Sequence, residues 1–267
     1  MNSYSEFAQY YDLFMEDVDY TEWSEYVLKI AERFGMKPEK ILDAACGTGN
    51  ITIPLAMKGY KMWGLDLSGD MLSIAESKAR ALKQKIKFLN QDMQNININE
   101  TFDCVLCMCD GVNYILEEAG LRKFFKAAYE RLNKTGIFIF DISSYNKLHY
   151  ILGNNTFYDE KNNIHYVWNN IYNEEFDTVD MDLMFFVPEG SLYRKFDEHH
   201  VQKAYKNEML IKLLLGTGFS KVETFDSFSF ENPKEDSERI FFAAVKTTLH
   251  NATGGIYEEL SYKRGKH

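Results

Sequence analysis

The sequence predicts an α/β fold: a parallel sheet covered on both faces by helices, with an antiparallel β insertion late in the chain. Three observations carry this. Between residues 41 and 143, strand patterns alternate with helical ones, and each strand pattern is apolar throughout rather than on alternate positions. Strands of that kind are buried on both faces. Between 144 and 203 the rhythm stops, and segments with partial period-2 alternation replace it. From 204 a helical pattern and two more strands resume the first rhythm.

In order along the chain, the first 35 residues read as two helices. Phe7, Tyr10, Tyr11 and Phe14 recur at i, i+3, i+4 and i+7, giving one aromatic face. Trp23, Val27, Ile30, Ala31 and Phe34 form a second stripe, with Gly35 as a stop and Pro38 beyond it. "KILDAA" is a short buried strand, and "NITIPLAMKG" a helix closed by Gly59. "KMWGLDL" is the second strand, followed by a helix with Ser68 as its natural N-cap and Leu72, Ala75, Ala79 and Leu82 as its apolar stripe. "IKFLNQD" and "FDCVLCMCD" are the third and fourth strands. A helix packing through Leu121, Phe124, Phe125, Ala128 and Leu132 leads to the fifth, "GIFIFDIS".

Residues 144–203 show no helix, only strand patterns in "IHYVWNNIY", "TVDMDLMFFVP" and "SLYRKFDEHHVQKAY". At about sixty residues this is an insertion, too long for a plain connection. The helix "NEMLIKLLLGTG" and the strands "FSKVETFDSFSF" and "ERIFFAAVK" then complete the alternation, and residues 247–267 lose periodicity.

A chain of 267 residues with 45% apolar content can build a sizeable core. Its formal charge of -10 argues against non-specific binding to nucleic acid or to anionic membrane. No apolar run approaches the ~18 residues of a membrane span, and the polar, acidic start "MNSYSEFAQYYD" is unlike a signal peptide, so a cytoplasmic location is expected. Cys104, Cys107 and Cys109 contain a C-x-x-C, but they fall in an apolar strand with no second ligand pair after them. They read as small buried thiols rather than as a metal site.

The loop "LDAACGTGN" raises the question of a ligand. Gly47 and Gly49 let backbone approach closely, yet the third position of a dinucleotide fingerprint is Thr52, and no Lys-Ser/Thr follows as in a phosphate-cradling loop. Instead, acids end three successive strands: Asp43, Asp66 and Asp92. Asp66 is positioned to accept hydrogen bonds from both hydroxyls of a ribose, and Asp92 from an exocyclic amino group of adenine. Three acids on one rim repel a pyrophosphate and suit a cationic nucleoside.

With "GLDLSGDML", "LNQDM", "FDCVLCMCDGVNYIL" and "LNKTGIFIFDI" following in order, residues 41–143 resemble the class I S-adenosylmethionine-dependent methyltransferases. The resemblance implies a Rossmann-like seven-stranded sheet in the order 3-2-1-4-5-7-6 with the last strand antiparallel. It implies S-adenosylmethionine as cofactor, with Asp43, Ala45 and Gly47 around its methionine end and Gly49 permitting close approach. Asp66 then holds the ribose, Asp92 and the Met93 backbone face adenine, Leu67 and Met71 flank the ring, and Cys109 adds a further contact. "FAQYYDLFM" resembles the aromatic lid of small-molecule members, with Tyr11 and Tyr10 as the expected contacts. The implied organisation is a helical lid over 1–40, a core over 41–143 and 204–246, an insertion over 144–203 that covers the acceptor, and a tail over 247–267.

Methyl transfer is an in-line displacement that needs alignment more than a base, so the catalytic residues stay unassigned. The candidates are His200, His199 and Asp110, with Asn113, Tyr114, Asp141 and Tyr145 also near the expected acceptor position. Glu198 and His200 share one strand face, and His199 and Val201 the other. "CDGVNY" lacks the D/N-P-P-Y/F signature of nucleic-acid amino-methyltransferases, and the insertion resembles that of amino-sugar and glycine N-methyltransferase-like enzymes. The expected acceptor is therefore a small molecule, methylated at N or O, with no nucleic-acid or membrane partner. The insertion's aromatics either roof a pocket or pair subunits in a homodimer. An RNA or protein methyltransferase, a nicotinamide-dependent oxidoreductase and a non-catalytic adenosylmethionine-binding protein remain as alternatives.

Overall fold

A computed structural model describes residues 6–247. Seven strands form the main sheet: β1 (Lys40–Ala44), β2 (Lys61–Asp66), β3 (Lys87–Asn90), β4 (Phe102–Cys107), β5 (Leu132–Ser143), β10 (Lys221–Asp226) and β11 (Arg239–Thr247). Their order is β3-β2-β1-β4-β5-β11-β10. β1 to β5 pair in parallel, and β11 runs antiparallel to both its neighbours. This is the expected 3-2-1-4-5-7-6 order with the last strand reversed.

Continuous apolar strands are explained by two separate cores. On one face Phe138, Phe140 and Phe242 pack with Phe124 and Phe125 of α5 (Glu118–Arg131) and with Leu210 and Leu214 of α6 (Asn207–Thr217). On the other, Ile137, Ile139 and Phe241 meet Val27 and Ile30 of α2 (Tyr20–Arg33) and Leu55 of α3 (Thr52–Met57). α2 begins where Asp19 caps the amides of Thr21 and Glu22 and stops at Gly35, whose φ of +70° no β-carbon obstructs. α4 (Gly69–Ala81) starts at Ser68, whose hydroxyl accepts the Met71 amide at 3.3 Å. Leu82 does not complete its stripe: it follows the last helical residue and is 48% exposed.

The insertion is an antiparallel sheet of four strands in the order β6 (Thr156–Lys161), β7 (Ile164–Asn173), β8 (Thr178–Glu189), β9 (Leu192–Lys203). β6 was not among the three expected strands, because none of its residues is buried and so no apolar signal marks it. The expectation of no helix in 144–203 is also corrected: Lys147–Leu152 form one π-helical turn that buries Leu148 and Leu152. Six residues are too few to give a readable period.

α1 (Ala8–Phe14) lies between this sheet and the core. Phe7 stacks on Phe185 at 4.9 Å between centroids, Tyr10 on Phe196 at 5.7 Å, and Phe14 meets Tyr166 edge-on at 4.8 Å. The tail expected past 247 and the first five residues of the lid lie outside the described residues.

Candidate functional site

Strands β2 and β4 leave β1 on opposite sides, so a crevice opens beyond the strand ends where ligands of open α/β sheets bind. A cavity of about 570 Å³ occupies it, within the usual range of small-molecule sites. Its wall contains Asp43, Ala45, Gly47, Asp66, Leu67, Met71, Asp92, Met93, Cys109 and Tyr11, ten of the twelve residues expected from sequence to contact the cofactor.

The other two lie elsewhere. Tyr10 turns its ring onto Phe196 in the insertion. Gly49 sits beneath the loop at φ +81°, where a β-carbon would come within 3.2 Å of Ile53 and 3.3 Å of Ala75. The close approach it permits is that of α3 and α4 to each other, not of a ligand.

Each acid is held differently. The Asp43 carboxylate, fully buried at the end of β1, accepts the Thr52 hydroxyl at 2.5 Å. Burial, with Asp66 nearby, pushes it up to about 7 against the opposing hydrogen bond. Asp66 accepts the amides of Gly47 and Ser68, both at 2.8 Å, which fixes the glycine loop and the start of α4 to one carboxylate. Burial raises its pKa although those amides pull the other way. Asp92 caps the short turn Met93–Asn95 through the Gln94 amide at 2.8 Å. Leu67, 74% exposed, presents an apolar shelf at the rim.

The fourth wall follows β4. Cys109 and Asp110 both take left-handed backbone, at φ +57° and +55°. Such a pair persists only where something holds it. Asp141 does so, accepting the Cys109 amide at 2.6 Å and the Asp110 amide at 3.1 Å. Arg239 completes the arrangement, bonding Asp141 with one guanidinium nitrogen and Asp110 with the other at 2.9 Å. Burial opposes the charge of Arg239, but the two carboxylates more than offset this and keep it protonated. Gly111 follows directly, and a β-carbon there would lie 2.8 Å from the Cys107 sulfur. Gly111→Ala is expected to destabilise the fold by about 1–3 kcal/mol, read by urea unfolding.

Most of the acceptor candidates are already engaged. Asp110 is bonded by Arg239 and by Gln202 at 2.7 Å and does not line the cavity. Asn113 spends its amide on the Ser143 backbone at 3.0 Å and the Lys203 carbonyl at 2.9 Å. Tyr145 donates to Asp177 within the insertion at 3.1 Å. His199 is corrected as well: it lies on the outer face of β9, bonded to Asp182 at 2.8 Å. His200 faces inward and meets Tyr114 of the cavity wall edge-on at 6.0 Å. Burial, then His199, lowers it to about 4, which makes it a poor proton acceptor at neutral pH.

Two residues escaped sequence reasoning. Tyr20 lines the cavity beside Tyr11, and burial pushes its hydroxyl up to about 12. Asp12 fastens α1 from below, accepting Thr48 at 2.7 Å, Asn50 at 2.9 Å and the Lys78 ammonium at 2.6 Å. Its place next to Tyr11 in "FAQYYD" was the available signal.

The wall thus carries four carboxylates (Asp43, Asp66, Asp70 and Asp92) and, among the described residues, no lysine or arginine. That composition defines an α/β protein whose crevice suits a cationic ligand better than a phosphorylated one. Comparison with known proteins narrows the class. The methyltransferase domain family matches residues 41–136. A methyltransferase-family protein of Geobacillus sp. (strain WCH70) is 36% identical over 91% of this chain and all of its own length. The solved structure of an S-adenosylmethionine-dependent methyltransferase from Clostridium acetobutylicum ATCC 824 is 39% identical, with a TM-score of 0.82 over 91% of this chain and 98% of that one. A glycine/sarcosine N-methyltransferase of Aphanothece halophytica is 27% identical over 83% of this chain and 81% of its own. The chain belongs to the S-adenosylmethionine-dependent methyltransferases. S-adenosylmethionine is its cofactor, and the acidic wall fits that sulfonium nucleoside.

Proposed function

We propose that the enzyme transfers the methyl group of S-adenosylmethionine to nitrogen or oxygen of a small cytoplasmic molecule. One observation supports this best: Tyr11 of α1 forms part of the cavity wall, and α1 is packed against the insertion sheet above and bonded to the glycine loop below. An acidic wall also repels a phosphate backbone.

When bound, the cofactor supplies an electrophilic methyl carbon on sulfur. Asp66 would accept the ribose hydroxyls, its orientation set beforehand by the Gly47 and Ser68 amides. Asp92 and the Met93 backbone would face adenine, between Leu67 and Met71. Asp43 and the Ala45–Gly47 turn would hold the methionine end. Tyr11 and Tyr20 would cover the sulfonium with aromatic faces, favouring the cation and excluding water. The protein's contribution is alignment in a dry site; His200, lowered to about 4, is a poor base at neutral pH.

The state of Asp43 gives this reading a pH signature. In the ligand-free protein the carboxyl takes up a proton as pH falls through about 7. A cationic ligand favours its charged form, so binding expels that proton. Affinity for S-adenosylmethionine is expected to be flat above about 7 and to fall below it by up to about tenfold per pH unit. Calorimetric titration in two buffers of different ionisation enthalpy checks this; equal affinity at pH 6 and 8 would sink the role given to Asp43.

The reading itself is tested with methyl-labelled S-adenosylmethionine and source-cell extract separated by size. Label is expected in the small-molecule fraction. Label confined to RNA or protein would overturn the proposal.

A further inference from the structure

The inner face of the insertion sheet is covered from two directions. α1 covers Tyr166, Phe185 and Phe196, while the turn Lys147–Leu152 covers Tyr172, Val179 and Met181. Where the two covers meet, the strand register sets a strip of two rows, Trp168 opposite Leu183 opposite Glu198 and Asn170 opposite Met181 opposite His200, with Trp168, Leu183 and Met181 packed against the cluster of the turn. All six point inward, since residues two apart on a strand share a face.

Two members of the strip are anomalous. Asn170 is 2% exposed, yet neither the oxygen nor the nitrogen of its side-chain amide has a hydrogen-bond partner. The buried indole N–H of Trp168, two residues earlier on the same face, lacks one too. Buried polar groups are nearly always paired, because leaving one unpaired forfeits the hydrogen bonds it had with water. Two donors and one acceptor, converging on one strip, call for a ligand that can both accept and donate. The strip meets the wall of the cofactor cavity through the edge-on contact of His200 with Tyr114.

Its charge limits that ligand further. Among the described residues, no lysine or arginine belongs to the strip or to the cavity wall. The guanidinium at this end of the sheet, Arg239, is taken by Asp110 and Asp141. A carboxylate or phosphate brought to the strip would meet Glu198 and, among the described residues of the strip, no lysine or arginine.

We propose that Asn170 and Trp168, with His200, form the acceptor-recognition strip, and that it selects an acceptor bearing hydroxyl or amide groups but no carboxylate or phosphate. This rests on the small-molecule reading above. It separates the chain from relatives named for glycine and sarcosine, whose acceptors carry a carboxylate.

The experiment passes the small-molecule fraction of source-cell extract over a strong anion-exchange resin at pH 11, where amino acids have lost the ammonium charge and bind through their carboxylates, and returns each pool to pH 7. Each pool is then incubated with enzyme and methyl-labelled S-adenosylmethionine. Label is expected in the unretained pool. With Asn170→Leu, the amount of that pool giving half-maximal labelling should rise at least tenfold, while cofactor affinity stays within twofold and the melting temperature does not fall. Trp168→Phe, which keeps an aromatic ring and drops the N–H, should shift labelling the same way without loss of stability. Label only in the retained pool would overturn the proposal and leave the small-molecule reading intact. So would an Asn170→Leu protein that melts well below wild type, since the amide would then be serving the fold. Label in macromolecules alone would remove both.

Discussion

Asp66→Ala is expected to raise the dissociation constant for S-adenosylmethionine by two to three orders of magnitude. Two effects add. Hydrogen bonds from ribose hydroxyls to a carboxylate are each worth about 1.5–3 kcal/mol, and every 1.4 kcal/mol is tenfold. The same carboxylate also holds the Gly47 and Ser68 amides at 2.8 Å, so its removal frees the glycine loop that shapes the methionine end. Asp66→Asn keeps one acceptor oxygen and part of that scaffold and should lose less. Equilibrium titration with unlabelled cofactor measures both. A variant that binds within threefold of wild type would show that Asp66 does not face the ribose.

Arg239→Met should be the most destabilising single change at the site, by about 3–5 kcal/mol, because it strands a buried carboxylate without its counter-charge. Asp141, fully buried, would keep the Cys109 and Asp110 amides but lose the guanidinium that offsets its burial. The loss depends on pH, with a definite sign. Asp141 is raised to about 6 even with Arg239 in place, burial being the main cause and Arg239 the main opposing influence. Without the arginine it is raised further, so the folded chain retains a proton that the unfolded chain gives up near 3.8. Stability of the variant therefore falls as pH rises through that window, and the deficit against wild type is larger at pH 8 than at pH 5. Urea unfolding at the two pH values reads this directly.

The cofactor half of the site was legible because its chemistry follows immediately on apolar strands. Asp43, Asp66 and Asp92 each end a run that periodicity marks, and the sheet brings consecutive strand ends together without further information. The acceptor half was not legible, for the opposite reason. Asp110 is 129 residues from the arginine that engages it and 92 from Gln202, and Asn113 is 90 from the Lys203 carbonyl. Read locally, both look like unspent polar groups past a strand end. Asn170 was hidden differently: in "VWNNIY" nothing distinguishes it from Asn169, and only the register of β7 with β8 and β9 gives it the inner face. Tyr20 starts α2 one turn before Trp23, on the stripe through which that helix packs, so nothing in the pattern set it apart from a core residue.

The two sides of α1 are made of different materials, and this decides how the site opens. Above, Phe7, Tyr10 and Phe14 are joined to the insertion by ring contacts, which salt leaves unweakened, with ion pairs of Lys161 to Glu16 and Asp17 and of Arg194 to Glu6 at the two ends of the helix. Below, Asp12 is joined to the core through the partly exposed Lys78 ammonium and two side-chain donors. An ion pair of that kind is screened as ionic strength rises. The lower seam rests on polar groups without the ring contacts of the upper one, so it is the seam expected to part, with α1 leaving alongside the sheet like a bolt fixed to its door. The sheet itself is fastened to the core at its far end, where Gln202 meets Asp110 and Asn113 meets Lys203. Cofactor release should accordingly quicken with added sodium chloride in the wild-type enzyme and lose most of that dependence in Asp12→Asn, as stopped-flow release would record.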